Sequence, residues 1–194
     1  MRRIAVRCAA VALSAAVGLP VWAQAGSAPV VMENPPPPPN PGPVLSNREC
    51  EVWARELSFA KSVADHDAAA FASHLQAGAA FGASRAAPTR GRDAIAQRWA
   101  GIVDGKAVRL EWYPTRVTIG GAKDVAWSSG PSLFEDLAPD AKRRFSIGAF
   151  HSVWHRDDDG VWRVLFDDGI EGRPVTSAEA MAFRDARRTA CPRG

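Results

Sequence analysis

His151 and Asp167 are the two residues of this chain whose types and spacing best fit proton transfer. An imidazole oriented by a carboxylate is a general base suited to neutral pH. Both lie in the stretch Arg143 to Gly169, RRFSIGAFHSVWHRDDDGVWRVLFDDG, which reads as two strands around a turn. With a loop at Arg156 to Gly160, His155 faces Val161, Val153 faces Arg163, His151 faces Leu165 and Ala149 faces Asp167. Directly opposed residues of an antiparallel pair share a face, so His151 and Asp167 become diagonal neighbours, roughly 6 to 8 Å apart at Cβ. The plainer outcome is a polar pair that only satisfies itself, or two residues that never touch. Asp168, at the strand end and on the other face, is expected to serve a turn or an arginine.

Other chemistry is weaker. His151 and His155 are four apart, which on a helix would suit one metal ion; on a strand they stand roughly 13 Å apart, too far. His66 and His74 have no cysteine or carboxylate cluster at ligand spacing, so no metal is expected. There is no glycine-rich phosphate loop, serine nucleophile elbow or cysteine nucleophile context, and no cofactor is expected. The aromatic load points instead to an apolar pocket, with Trp53, Phe59, Trp112, Trp127 and Phe145 as expected lining residues. Arg92, Arg98, Arg144 and Arg163 could meet an acidic ligand group, although solvated or salt-bridged arginines are commoner.

The elements that must position these groups can be read in order. Ser46 to Glu49 is a capping box, and Val52, Trp53, Glu56, Phe59, Ala60 and Val63 follow at helical spacing. Asp67 can cap a second helix, AAAFASHL, and a third, RDAIAQRWAGIV, opens after Gly91 with Phe81 in an irregular piece between them. From Val108 the period changes to two: VRLEWYPTRVTIGG, DVAWSSGPSLF, then the hairpin, with strands at Arg144–His155 and Val161–Asp168. A second capping box, Thr176 to Glu179, starts a last helix. Helices first and strands afterwards predict one α+β domain with an antiparallel sheet over residues 46–172, and a packed C-terminal helix over 173–194. Both hairpin faces are largely apolar, Trp154 and Trp162 sharing one of them. A homodimer through that face is therefore expected, unless the C-terminal helix covers it.

The ends of the chain carry further information. Residues 1–25 have a basic start, a short apolar core and small residues for cleavage, the pattern of a Sec export signal rather than a membrane span. A periplasmic or secreted protein is expected, with no membrane attachment once the signal is cleaved. Of 24 Lys+Arg and 21 Asp+Glu, three arginines and no acids fall in that signal, so the mature chain is formally neutral. It lacks the basic field that nucleic-acid binding requires. Residues 26–45, with PPPPPNPGP, are expected to form a disordered spacer. Cys50 and Cys191 survive cleavage, and in an oxidising compartment a single pair is most simply a disulfide.

Asp65-His66-Asp67 before AAAFASHL, Gly91 to Ile95, LEWYP at 110–114, DVAWSSG at 124–130 and Phe145 to Gly169 together resemble the nuclear transport factor 2-like, or SnoaL-like, superfamily. The likeness spans roughly residues 48–170 and is nearest the uncharacterised bacterial branch defined as a domain of unknown function. It implies a cone: a bent sheet wrapped around the first helix, with a pocket at the open end. The isomerases of that superfamily use a carboxylate base with a tyrosine and a protonated acid. Tyr113, the only tyrosine here, stands beside Pro114 on a strand and does not match that tyrosine, so the mechanism is not carried over. Three readings follow. The first is a module binding a small apolar or aromatic molecule; the second is a proton-transfer enzyme (isomerase, dehydratase or cyclase type) using His151 and Asp167. The third is a non-catalytic dimerisation or assembly module.

Overall fold

The first helix, α1 (Asn47–Ala64), begins at the predicted capping box: Ser46 accepts from the Glu49 N–H, and the Glu49 carboxylate accepts from the Ser46 N–H at 2.9 Å. The computed structural model describes residues 44–193; the predicted export signal and nearly all of the spacer lie outside the described residues. Asp67 caps α2 (Ala68–Ser73). This helix is shorter than predicted, because Leu75 already belongs to a strand, β1 (Leu75–Phe81). A short β2 (Thr89–Arg90) leads through Gly91, at φ 87, into α3 (Arg92–Asp104), which ends on left-handed Gly105. Then come β3 (Val108–Trp112), β4 (Arg116–Ile119), β5 (Val125–Asp136), β6 (Phe145–Arg156) and β7 (Trp162–Val175). The second predicted capping box, Thr176 with Glu179, opens α4 (Ser177–Asp185).

The sheet runs β2-β1-β7-β6-β5-β3, with β4 also on β5. Every pairing is antiparallel except β1 with β7, which is parallel, so the sheet is mixed rather than wholly antiparallel. It curls around α1 as a cone. Between them lies the main core, where Trp154, Val164 and Leu75 are fully buried with Val52 and Phe59. A second cluster of Tyr113, Leu133, Ala180 and Phe183 seats α4 on the other side of the sheet. Arg184 fastens it there, reaching Glu111 at 2.7 Å and Glu135 at 3.0 Å.

The hairpin turn is as predicted, with Gly160 at φ 79 and Arg163 bound to Asp157 and Asp159. Its register is not. His155 pairs with Arg163 and Trp154 with Val164, but Val153 pairs with Phe166, leaving Leu165 as an extra residue in β7. A bulge of this kind reverses the alternation of everything beyond it. Ser152 therefore faces Asp167, and His151 faces Asp168. The predicted Ala149–Asp167 pairing is replaced by Ala149–Ile170.

Trp154 and Trp162 are buried at 0% and 2% exposure within one chain, with α1 on them, so these side chains do not form the expected dimer face. Trp162 Nε1 instead donates to Glu51 of α1 at 3.1 Å. Cys50 and Cys191 are joined, and Leu45 N–H bonds the Pro192 carbonyl beside them at 3.0 Å. The last spacer residue thus enters the core, with Leu45 only 7% exposed. Among the described residues, no helix is long and apolar enough to cross a membrane.

Candidate functional site

A cavity of about 790 Å³ opens between α1, α3 and the inner side of the sheet. That is within the range of small-molecule sites. Its apolar wall includes Phe59 of α1, Trp99 and Ile102 of α3, Trp112 of β3 and Phe150 of β6. These rings are fixed against one another: Phe59 meets Trp112 edge-on at 5.2 Å, and Trp112 meets Phe150 at 6.5 Å. Edge-on contact places the positive rim of one ring on the negative face of the next.

Behind this wall, and not itself lining the cavity, lies a buried polar network centred on Glu56. This residue sits in the apolar stripe of α1 and is fully buried. Its Oε1 accepts from Trp112 Nε1 at 2.7 Å, and its Oε2 from Ser128 Oγ at 2.6 Å and Trp154 Nε1 at 3.1 Å. The Trp154 N–H also reaches Ser128 Oγ at 2.9 Å. Burial pushes the Glu56 carboxyl above its ordinary range, against the pull of these hydrogen bonds.

Next to it, Asp167 lines the cavity and accepts from Ser152 Oγ at 2.8 Å. Burial, reinforced by the nearby Glu56 and Asp168 charges, pushes its carboxyl up to about 7, with the Ser152 bond opposing. Part of the Asp167 surface still faces the cavity, and water there tempers the effect. The two acids and Ser152 form one network because the Leu165 bulge turns Asp167 inward. At neutral pH such a carboxyl is present in both forms, able to donate a hydrogen bond or accept a proton.

The structure does not bring His151 and Asp167 together. His151 is exposed, and its ring meets Trp127 edge-on at 5.4 Å. Of the five aromatics expected around a ligand, Phe59 and Trp112 line the cavity. Trp53 is core, at 2% exposure and with no partner for its Nε1. Trp127 stands with His151, and Phe145 packs beneath α4 with Arg144 and Arg184 over its ring. Tyr113 is in that same α4 cluster, against Phe183 at 4.9 Å. Asp168, expected at a strand end on the face away from His151, lies within β7 directly opposite His151, and it accepts from the Ser84 N–H at 2.7 Å.

Glu56, Ser128 and Ser152 were not expected at a site. The available signal was a carboxylate in the middle of a helical stripe that must be buried, facing serines on inward strand positions. A second buried pair has the form of a nucleophile and base. His74 Nδ1 donates to the Ala70 carbonyl at 2.7 Å, so Nε2 accepts from Ser58 Oγ at 2.6 Å. Burial lowers this histidine to about 4, keeping it neutral. Neither residue lines the cavity, and the pair reads as packing that satisfies itself. Among the described residues, no three His, Cys, Asp or Glu side chains gather as metal ligands.

No protein-family profile matches the chain, and no curated protein matches it. Solved structures do. A ketosteroid isomerase-like protein from Erwinia carotovora atroseptica SCRI1043 superposes with a TM-score of 0.54 at 12% identity, over 64% of this chain and 96% of that one. An NTF2-like protein of unknown function from Pseudomonas putida KT2440 gives 0.54 at 13% identity, over 70% and 98%. A domain of unknown function with a cystatin-like fold from Nostoc punctiforme PCC 73102 gives 0.51 at 18%, over 73% and 86%. At these identities the likeness carries architecture and no activity. The chain has the cone-shaped α+β fold of nuclear transport factor 2-like, cystatin-like proteins.

Proposed function

We propose that this protein is an exported binding module that holds a small, largely apolar or aromatic molecule in the cone cavity, with Asp167 as its polar anchor. One observation carries the reading: a carboxyl held near neutrality in the wall of a cavity that also presents Phe59, Trp99, Trp112 and Phe150. A neutral carboxylic acid can donate to a carbonyl or similar acceptor on the ligand. The disulfide supports export, since such bonds persist in oxidising compartments.

The cavity is tested by filling it. Gly169 lines it, opposite Phe150, and a Cβ at that position meets no atom within 4 Å. Its φ lies outside the left-handed region, so a side chain is tolerated there. Gly169→Phe is expected to leave the fold intact and to abolish binding of the fluorescent apolar probe phenylnaphthylamine, read by titration. Undiminished binding to that variant overturns the reading.

The same carboxyl favours a second reading, general acid–base catalysis on the bound molecule, with Asp167 acting through Ser152 and Glu56 rather than through His151. A base titrating close to the working pH is the efficient one.

A further inference from the structure

We infer that the cavity's ligand is an amphipathic organic acid, whose anionic group is held at the mouth by Arg85 and Arg98 while its apolar body lies on the aromatic wall. This rests on the binding reading above and specifies the ligand class.

Arg98 is on the cavity side of α3. It lines the cavity together with Trp99 and with Ile102, one turn further along the same helix face. Arg85 follows β1 and folds back over Gly82, so that a Cβ on Gly82 would stand 3.0 Å from Arg85 Cδ. Gly82 lines the cavity, and its N–H bonds the Asp167 carbonyl at 2.8 Å. Both arginines are exposed while lining the space, as expected of groups near its opening.

Among the described residues, neither has an ion-pair partner, in contrast to the arginines gathered around α4. On the α4 side of the sheet, Arg109, Arg144 and Arg184 all engage Glu135 within 3.1 Å, and Arg187 engages Glu111 at 3.0 Å. Three acids, Asp167, Asp168 and Glu171, line the same cavity, and among the described residues none forms an ion pair with either arginine. Asp168 is near enough to Arg85 to feel its charge but gives its Oδ2 to the Ser84 amide. Glu171 is exposed at the rim, and Asp167 belongs to the Ser152 network. A carboxylate, sulfonate or phosphate entering the mouth would meet two planar cations, the geometry best suited to bidentate binding.

Two probes separate this proposal from the reading beneath it. Anilinonaphthalene sulfonate and neutral phenylnaphthylamine share one ring system and differ in the anionic group. The parent protein is expected to bind the sulfonate about tenfold more tightly, the scale of a charge-assisted contact at a partly exposed site. Arg85→Gln/Arg98→Gln is expected to bring the two affinities together while leaving the neutral probe unchanged, and Arg98→Glu to reverse the preference. Equal affinities in the parent, or a preference that survives the double substitution, overturn the anion proposal and leave the cavity reading standing. If neither probe binds, or both still bind Gly169→Phe, the cavity reading fails and this inference fails with it.

Discussion

Replacing Asp167 with asparagine is expected to stabilise the protein at alkaline pH. The folded-state carboxyl is held at about 7, well above its ordinary value of 3.8. A carboxyl raised on folding binds its proton more tightly in the native state. Its contribution is therefore complete below the unfolded pKa and is lost as pH rises through the folded one. For Asp167 that window runs from about pH 4 to about pH 7, at up to 1.36 kcal/mol per pH unit. Water in the cavity reduces the effect, so about 2–4 kcal/mol is expected over the window. Asparagine keeps the acceptor for Ser152 and cannot ionise. Urea unfolding at several pH values should give curves within about 1 kcal/mol of each other near pH 4.5. By pH 8 they should have separated, with Asp167→Asn the more stable. Parallel curves would mean that Asp167 is not held near neutrality, and the anchor role would go with it. A gain in stability on removing a group is the expected mark of a functional residue in a strained setting.

Glu56 is expected to behave in the opposite way. Glu56→Ala leaves the Trp112 indole N–H without its acceptor, deprives Ser128 of its partner and opens a void under α1. Breaking a buried network from one side costs about 3–5 kcal/mol. Glu56→Gln should cost only about 1–2 kcal/mol. Its oxygen can still accept from Trp112, its amide can donate to Ser128 Oγ, and Trp154 keeps the same Ser128 oxygen. Denaturant midpoints of the two variants decide between network chemistry and side-chain volume. If Gln is as damaging as Ala, the hydrogen bonds drawn around Glu56 are not what holds this region together.

Much of the architecture was legible because its signals are local. Both capping boxes, the Asp67 cap, Gly91 before α3 and the Asp157–Gly160 turn are chemical requirements of a few adjacent residues. What escaped depends on distant partners. LQAGAAF, β1, is rich in small residues with weak strand preference, and it becomes a strand by pairing in parallel with β7, far along the chain. Leu165 carries no mark of a bulge, since an apolar residue fits either side of a sheet with both faces apolar. That one residue moved Asp167 from the side of His151 to the side of Glu56. The cavity itself is space left open by Gly169 and its neighbours, and empty space has no residue type. Phe59 and Trp112 were foreseeable as aromatic and inward; Trp53 and Phe145 have the same chemistry and pack elsewhere.

The Cys50–Cys191 bond ties the first turn of α1 to the end of the chain, across a sequence separation of 141 residues. Synthesis runs from the N-terminus, so Cys191 is made after α1, the whole sheet and α4. By then α1, the partners of Glu56 and the whole sheet are all present. The Arg184 contacts hold α4 on the sheet, and the Leu45–Pro192 bond holds the segment after it beside the first turn of α1. The crosslink can therefore close only once every residue of the sheet and of α4 has been made.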